Sequence, residues 1–366
     1  MSTQTSTDAN SVTPRPAPSA RRVLMIVLPI AAVLLAMYLS YLAGESRVRS
    51  NFESTVMERI FAWEPIRAGS MEFADADNDM VADPPTDPAK VINPDTLVFS
   101  YVASEERGQP EETWKELAAA LTEKTGKEVK VAHFDTPEQQ LVALKKGELH
   151  ILGLNTGLVQ SAVEKVGFVP LCTMGRDDGS FGYTMEFIVP AGSPIKKLED
   201  VKGRKVMFSR LDSNSGCKAP LVLLIEKYNL LPERDYDYGF SPSHEDSIKR
   251  ITTKEFEIAP VASDILAGMI QRKEVDPAAI VSIYKSERFP PATIGYTYRL
   301  TPVLRDAIRE TLLKFEWKGT GLEKDFGAGE TTKFVAVNYK DDWANTRRID
   351  QVITERRKAA RKGGVK

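Results

Sequence analysis

The strongest constraint on the fold is the alternation of strand-like and helix-like segments from Leu97 to about Asp350. The strand-like runs are LVFSYV, VKVAHF, HILGLN, YTMEFIVP, KVMFS and FEIAPVAS. The helix-like runs between them include PEETWKELAAALTEK, PEQQLVALKKG, APLVLLIEKYNL and SHEDSIKRITTKE. Alternation of this kind predicts an α/β protein built on parallel sheets.

Composition fits a globular protein and excludes several functional classes. The 366 residues are 42% hydrophobic and 27% charged, which excludes wholesale disorder and fibrous repeats. The net charge of −2 gives no support to nucleic-acid binding. The two cysteines, Cys172 and Cys217, exclude a disulfide-rich scaffold and a four-thiolate zinc site. A disulfide between these two remains open for an oxidising compartment.

An uncharged run of 21 residues, VLMIVLPIAAVLLAMYLSYLA, occupies positions 23–43 and follows Arg21 and Arg22. At 1.5 Å per residue, a helix of this length spans the ~30 Å of bilayer hydrocarbon. Tyr41 stands where signal peptidase requires a small residue, and Glu45 stands where a lipoprotein carries cysteine. The run therefore predicts an uncleaved transmembrane anchor, with a buried core helix as the alternative. The arginine pair predicts a single-pass inner-membrane protein with its large domain in the periplasm or outside.

The segments on either side of the run are polar. Residues 1–22 predict a disordered cytoplasmic tail, and residues 44–96 predict a juxtamembrane segment followed by an acidic, proline-rich linker. Four carboxylates in the linker are spaced D-x-D-x-D-x-x-x-D, namely Asp75, Asp77, Asp79 and Asp83. This pattern resembles short calcium loops, although Met80 replaces their glycine. Calcium is the one cofactor suggested, and a solvated acidic linker is the alternative.

The polar loop at 212–216, between the strand KVMFS and the helix APLVLLIEKYNL, is the strongest functional signal. Ser213, Asn214 and Ser215 offer hydroxyl and amide donors, followed by Gly216. The backbone N–H groups of the helix start point the same way. Neutral donors at a helix start suit a tetrahedral oxyanion. A capped helix without a ligand is the alternative interpretation.

Other polar residues follow other predicted strands. They are Ser104 after LVFSYV, Asn155 and Thr156 after HILGL, His244 in SPSHEDS and Asp264 after FEIAPVAS. In open α/β sheets ligands bind beside the carboxyl ends of the strands, so these residues are predicted to line one site with the loop at 212–216. For His244 and Asp264, a surface or helix-capping role is the alternative.

The chain from Leu97 to about Asp350 resembles the periplasmic phosphonate, phosphite and phosphate-binding proteins of ABC transporters. The matching runs are LVFSYVASEE, SPIKKLEDVKGRKVMF, SRLDSNSGCKAP and SPSHEDSIKRI followed by EIAPVASDIL. The resemblance implies a type II periplasmic-binding-protein fold with a hinge. One lobe would comprise 97–187 and 291–350, the other would comprise 188–290, and a basic tail would follow at 351–366.

The resemblance also implies site roles. Ser213, Ser215 and Asn214 would bind the anion oxygens, His244 would lie in the pocket, and Asp264 would be near the amine of an aminophosphonate. The run FPPAT at 289–293 lacks the second carboxylate that an amine-bearing ligand needs. Phosphate, phosphite or a simple alkylphosphonate is therefore expected.

The resulting hypothesis is a membrane-tethered solute-binding protein, not an enzyme, that closes over a phosphorus oxyanion and delivers it to an ABC transporter permease. Two alternatives stay open. In one, the same fold senses the ligand and passes the signal through the juxtamembrane segment. In the other, Cys217, beside Lys218, is a nucleophile with His244 as its base.

Overall fold

The computed structural model describes residues 28, 30–44, 73–101, 110–327 and 331–363. The chain forms two compact units, Met1–Glu53 and Ser54–Lys366. In the first unit, residues 30–44 are helical. Within 30–44, eight large side chains are each more than half exposed, namely Ile30, Val33, Leu34, Leu35, Met37, Tyr38, Leu39 and Tyr41.

Within the described part of the chain, no helix combines the length and the apolarity needed to cross a membrane. The predicted anchor extends beyond that part, because its residues 23–27 and 29 lie outside the described residues. The predicted cytoplasmic tail and the juxtamembrane segment up to residue 72 also lie outside them.

The second unit carries eleven strands among its described residues. The first sheet comprises β1 (Thr96–Tyr101), β2 (Glu128–Val131), β3 (Ile151–Leu154), β4 (Phe168–Gly175), β10 (Thr293–Thr297) and β11 (Lys333–Ala336). The remaining strands are β5 (Tyr183–Pro190), β6 (Lys205–Phe208), β7 (Asp237–Phe240), β8 (Ala259–Ala262) and β9 (Ile280–Phe289).

Helices cover both sheets. They are α1 (Pro110–Thr125), α2 (Pro137–Lys146), α3 (Val159–Val166), α4 (Ala219–Tyr228), α5 (His244–Thr252), α6 (Ser263–Gln271), α7 (Pro302–Lys314), α8 (Gly321–Phe326), α9 (Tyr339–Asp342) and α10 (Ala344–Gly363). Short 3₁₀ turns occur at Pro88–Lys90, Leu198–Val201 and Pro277–Ala279, and a π-helical turn at Asn214–Lys218 leads into α4.

The two sheets share one strand arrangement. The first has the order β11-β4-β10-β3-β1-β2, in which β2, β1 and β3 are parallel and β10 is antiparallel to β3 and β4. In the second, β8-β5-β9 is joined to β6-β7 where Val206 bridges Ile258. Its order β7-β6-β8-β5-β9 thus repeats β2-β1-β3-β10-β4, with β5 as the antiparallel strand.

The chain crosses between the sheets twice, which defines two lobes. The first crossing runs from Gly175 to Tyr183, and the second from Phe289 to Thr293. The boundary expected at 187 therefore falls inside β5, because this strand pairs with β9 from Tyr183 onward and with β8 from Met185 onward. We call the lobe with the first sheet lobe 1 and the other lobe 2.

Local sequence explains the helix that follows β2. In α2, Pro137 occupies the first turn, and the Thr136 hydroxyl accepts the Gln139 N–H as an N-cap. The helix ends at Gly147, whose φ of 78° suits a residue without a Cβ. Next comes β3, which is buried along its whole length, as expected of a central parallel strand.

Two segments that flank the predicted lobes pack on the folded unit. The described part of the linker, 73–96, is anchored to lobe 1, where Val81 joins the core and Ile92 donates its N–H to the Arg299 carbonyl. The basic tail continues as α10, with Ile349 and Ile353 buried. Apolar side chains on one face of each segment account for this packing.

Candidate functional site

A cavity of about 180 Å³ lies between the lobes, at the carboxyl ends of the strands. Tyr101 ends β1, Asn155 follows β3 and Gly175 ends β4 on the side of lobe 1, while Ala262 ends β8 on the side of lobe 2. The cavity is below the ~300–1,000 Å³ of drug-sized sites and suits a small ligand.

The polar loop of lobe 2 forms one wall of this cavity. The Ser213 hydroxyl accepts the Gly216 N–H at 3.0 Å and so caps the π-helical turn. Gly216 is required by close packing, because an added Cβ would lie 1.7 Å from Ser209 Oγ. The N–H groups of Asn214 and Ser215, in the first turn, have no acceptor within the helix. The turn thus directs donors towards the cavity.

His244, the first residue of α5, lies behind these serines. Its Nδ1 accepts the Ala262 N–H at 3.3 Å, which assigns the ring proton to Nε2. Nε2 then lies 3.1 Å from Ser213 Oγ and 3.4 Å from Ser215 Oγ. Burial lowers the pKa of His244 to about 4, although Asp212 opposes this shift. The imidazole is therefore neutral at pH 7 and donates to the serines.

Ser213 is left with a proton to give. Ser213 Oγ accepts from both the Gly216 N–H and the imidazole, so its own O–H must find a different acceptor. Asn214 is 2% exposed, and neither atom of its amide meets hydrogen-bond geometry with a described residue. Burial raises the pKa of Tyr183, whose hydroxyl stays protonated and donates to Thr156 Oγ1 at 3.4 Å, which leaves the serines and Asn214 to supply the donors. The wall is a set of neutral donors.

The nearest carboxylate is already neutralised. Asp212 forms a bidentate ion pair with Arg210, both contacts at 2.9 Å, and accepts the Asn155 amide at 2.8 Å. The Thr156 hydroxyl donates to the Pro290 carbonyl at 2.6 Å. Asn155 and Thr156 line the cavity, but their donor groups are engaged by other parts of the protein. The Asn155 amide links lobe 1 to lobe 2, and the Thr156 hydroxyl links lobe 1 to the second crossing.

A second link between the lobes lies beside the donor turn. Lys218 Nζ donates to the Gly157 carbonyl at 2.6 Å and to Asp350 Oδ1, in α10, at 2.9 Å. Gly157 approaches lobe 2 so closely that an added Cβ would lie 2.1 Å from the Asp212 carbonyl oxygen. The donor turn is therefore held against lobe 1 at its carboxyl end.

The structure brings most of the sequence-predicted residues to one place. Seven of them line the cavity, namely Asn155, Thr156, Ser213, Asn214, Ser215, His244 and Asp264. Gly216 lies directly behind them, against His244. Asp264 is exposed at the start of α6, where Oδ1 accepts the Ile265 N–H. Ser104 lies outside the described residues.

Sequence reasoning missed much of the rest of the cavity lining, on both lobes. The cavity is also lined by Tyr101, Met174, Arg176, Phe181, Tyr183 and Phe326. Tyr101 and Tyr183 were each part of a predicted strand, and their position at a strand terminus was the available signal. Phe326 comes from α8, far along the chain, and no local pattern relates it to the loop at 212–216.

The disulfide considered from the sequence is absent, because Cys172 and Cys217 are both free and buried, in lobe 1 and lobe 2 respectively. Burial raises the pKa of the Cys217 thiol to about 12, so it is protonated at neutral pH. A nucleophile needs the opposite shift, which argues against a role for Cys217 in catalysis.

The acidic loop brings three of its four carboxylates together. Ligand oxygens of Asp75, Asp77 and Asp79 lie within 4.8 Å of one another, and all three residues are exposed. Asp83 instead accepts the Ala76 N–H at 2.7 Å. Backbone N–H groups of the loop also bond to Asp75 and Asp79, so the loop is held by its own contacts, and calcium binding stays a prediction.

Comparison with solved structures agrees with the fold. A binding protein component of an ABC phosphonate transporter from Pseudomonas aeruginosa is 18% identical, with a TM-score of 0.60 over 72% of this chain and 88% of that chain. PhnD1 from Prochlorococcus marinus, in complex with methylphosphonate, is 14% identical, with a TM-score of 0.59 over 72% and 100%. A protein from Xanthomonas citri bound to ATP is 15% identical, with a TM-score of 0.58 over 74% and 100%. The chain has the two-lobed periplasmic-binding-protein fold.

The family comparison covers the lobes almost completely. Residues 99–343 match the family described as ABC transporter, phosphonate, periplasmic substrate-binding protein. This match spans both sheets and every described residue that lines the cavity. The chain belongs to the family of phosphonate ABC transporter substrate-binding proteins.

Proposed function

We propose that this chain captures a phosphorus oxyanion in the cavity between its lobes and delivers it to an ABC transporter permease from a membrane-tethered position. The observation that carries the proposal is the set of neutral, buried donors formed by Ser213, Asn214 and Ser215 over the neutral His244. The family to which the chain belongs is extracytoplasmic and transports phosphonates, which supports both the location and the ligand class.

Neutral donors suit an anion that must later be released. A hydrogen bond to a charged acceptor contributes about 1.5–3 kcal/mol, and several act together in a site from which water is excluded. A buried lysine or arginine in direct contact would add an ion pair that costs several kcal/mol to break. Lys218 and Arg210 lie close by, but they are engaged by Asp350 and Asp212.

Binding by two lobes supplies the mechanism. The donors lie on lobe 2, whereas Tyr101, Met174 and Phe326 face the cavity from lobe 1. A ligand that touches both walls stabilises the closed arrangement over an open one, in proportion to the contacts made only on closure. Such a change of shape gives a permease a means to distinguish loaded from empty protein.

The membrane tether is the second part of the proposal. The helix at 30–44 exposes apolar side chains around its circumference, among them Val33, Leu34 and Leu39. Surface of this kind is unfavourable in water and is expected to lie in lipid or against another apolar surface. The test is extraction of membranes from expressing cells at alkaline pH, which should leave the full chain in the pellet and release a variant lacking residues 23–43. Release of both forms would contradict a tether.

The ligand test is isothermal titration calorimetry on the full chain with methylphosphonate, phosphite and phosphate. Saturable binding of at least one of them at a stoichiometry near one supports the proposal. Binding of none, by protein whose folding is verified by circular dichroism, overturns it. Uptake of the same anion by cells, with and without the gene, then tests delivery.

A further inference from the structure

Resting on the proposed function, we infer that the ligand is a phosphonate whose carbon substituent is apolar and larger than methyl, with the oxyanion against the donor turn and the substituent against an apolar wall opposite. The wall consists of Tyr101, Met174, Phe181, Ala292 and Phe326.

The two walls belong to different lobes. The donors Ser213, Asn214 and Ser215 lie on lobe 2, at the start of the π-helical turn. The apolar wall comes from lobe 1 and the first crossing, at the ends of β1 and β4, the start of β10 and the end of α8. A ligand between the lobes thus meets hydrogen-bond donors on the lobe 2 side and, on the other side, mainly carbon and sulfur atoms, with the Tyr101 hydroxyl, Arg176 and Thr331 as the polar groups there.

The apolar wall is built and supported from behind. Tyr101 and Met174 are each 8% exposed, and the Tyr101 ring lies 4.6 Å from the Trp114 ring and 6.1 Å from the Phe326 ring. Trp114 is 2% exposed, so it fixes the Tyr101 ring in place. Phe181 and Phe326 are half-buried, which leaves part of each ring for a ligand. The Tyr101 and Phe326 rings are thus both packed against Trp114.

The chemistry of this wall discriminates between the candidate anions. Inorganic phosphate carries oxygen at all four corners, and an oxygen placed against Met174, Ala292 or the Phe181 and Phe326 rings would lack a hydrogen-bond partner, at a cost of about 1–3 kcal/mol. A phosphonate replaces that oxygen by carbon. Each further methylene buried against the wall then strengthens binding about fourfold, the equivalent of about 0.8 kcal/mol.

Three charged side chains share the cavity lining. Asp212 is paired with Arg210, Arg176 follows β4, and Asp264 is exposed at the start of α6. Asp264 is the group that an amine-bearing ligand would use. The decisive comparison is therefore between n-propylphosphonate and 2-aminoethylphosphonate, which have the same shape but end in a methyl group or an ammonium group.

The experiment is calorimetry on the full chain at one pH with methylphosphonate, n-propylphosphonate and 2-aminoethylphosphonate. We expect n-propylphosphonate to bind about 15-fold tighter than methylphosphonate, from two buried methylenes at about 0.8 kcal/mol each, and tighter than 2-aminoethylphosphonate. In Phe181→Ala the ratio of propyl to methyl affinity should fall below about fourfold, whereas Phe181→Leu should retain most of it. Phe240→Ala, which alters a 43% exposed ring outside the cavity lining, serves as the control for the ratio.

Three outcomes overturn the inference. Methylphosphonate binding that is equal to or tighter than that of the propyl compound overturns it and leaves the proposed function standing. Tighter binding of 2-aminoethylphosphonate, abolished by Asp264→Asn, assigns the substituent to Asp264 instead of the apolar wall. Absence of binding by all three phosphonates, phosphite and phosphate overturns the proposed function as well.

Discussion

His244 Nε2 lies 3.1 Å from Ser213 Oγ, while Nδ1 of the same ring accepts the backbone N–H of Ala262. One neutral imidazole thus joins the start of α5, the end of β8 and the donor turn of lobe 2. Addition of a proton to Nδ1 would remove the acceptor of the Ala262 N–H and place a charge in a buried site. The orientation of the serine hydroxyls depends on this ring remaining neutral.

Because of His244, the free energy of unfolding is therefore expected to decrease as the pH is lowered. The folded pKa is about 4, whereas an unfolded histidine titrates near 6.5, so between these values the unfolded chain binds a proton that the folded chain does not. The stabilisation is complete above about pH 6.5 and is lost as the pH falls towards 4. The loss in the free energy of unfolding reaches about 2 kcal/mol at pH 5. Urea unfolding at pH 7.5 and pH 5 measures it. His244→Gln should show a smaller decrease than wild type, and equal decreases would contradict the assignment.

Substitution of Gly157 should separate the lobes. In Gly157→Ala the new Cβ would lie 2.1 Å from the Asp212 carbonyl oxygen and 3.0 Å from the Asn214 nitrogen, so backbone must move. We expect methylphosphonate affinity to fall at least about tenfold, a loss of about 1.4 kcal/mol, with the circular dichroism spectrum unchanged. Gly239→Ala in β7 is the control, because its added Cβ would lie at an ordinary contact distance of 3.6 Å from the Phe256 ring. Equal affinities of the two variants would show that this approach is unimportant.

Lys218 should stabilise the folded unit through Asp350. Their side chains are only 11% and 14% exposed, so Lys218→Met leaves a carboxylate without its partner and the Gly157 carbonyl without its donor. We expect a loss of about 3 kcal/mol in the free energy of unfolding. Lys227→Met, at an exposed position of α4, should change it by less than about 0.5 kcal/mol.

The pairing itself is tested by combining Lys218→Met with Asp350→Asn. A double-mutant cycle should give a coupling energy of about 1–3 kcal/mol, because each single substitution removes the same contact. A coupling energy near zero would mean that the two residues act independently.

Both thiols should be inert in the native protein. Cys172 is fully buried in β4, and the Cys217 thiol, with a pKa of about 12, is protonated at neutral pH. Reaction with a chromogenic disulfide reagent at pH 8 should require denaturant, which then exposes two thiols. Fast labelling of native protein would revive the nucleophile hypothesis, and fewer than two thiols after denaturation without reductant would indicate a disulfide.

Local patterns predicted the parts of this fold whose signal is local. The run HILGLN became β3 because it is apolar throughout, and PEQQLVALKKG became α2 because proline and glycine mark its two ends. By contrast, β9 contains Lys285, Glu287 and Arg288, which point to solvent at a sheet edge and hide its strand character. The repeated strand order of the two sheets has no counterpart as a repeat in the sequence.

The candidate site likewise has one part with a local sequence signal and one part without such a signal. The donor turn is contiguous in sequence, so Ser213 to Gly216 were identified together. The apolar wall joins Tyr101 to Phe326, which only the tertiary fold places side by side. Ligand binding by Asn155 and Thr156 stays a prediction, and their contacts with Asp212 and the Pro290 carbonyl had no local signal because these partners come from distant segments.

The central claim is that the hydroxyls of Ser213 and Ser215 donate to the bound anion. Calorimetric titration of methylphosphonate into the full chain carrying both Ser213→Ala and Ser215→Ala tests it, with Ser282→Ala, an exposed serine of β9, as the matched control. Two lost hydrogen bonds to a charged ligand predict an affinity at least about 100-fold lower in the double variant, and wild-type affinity in the control. A folded double variant that binds methylphosphonate within twofold of wild type would contradict the account.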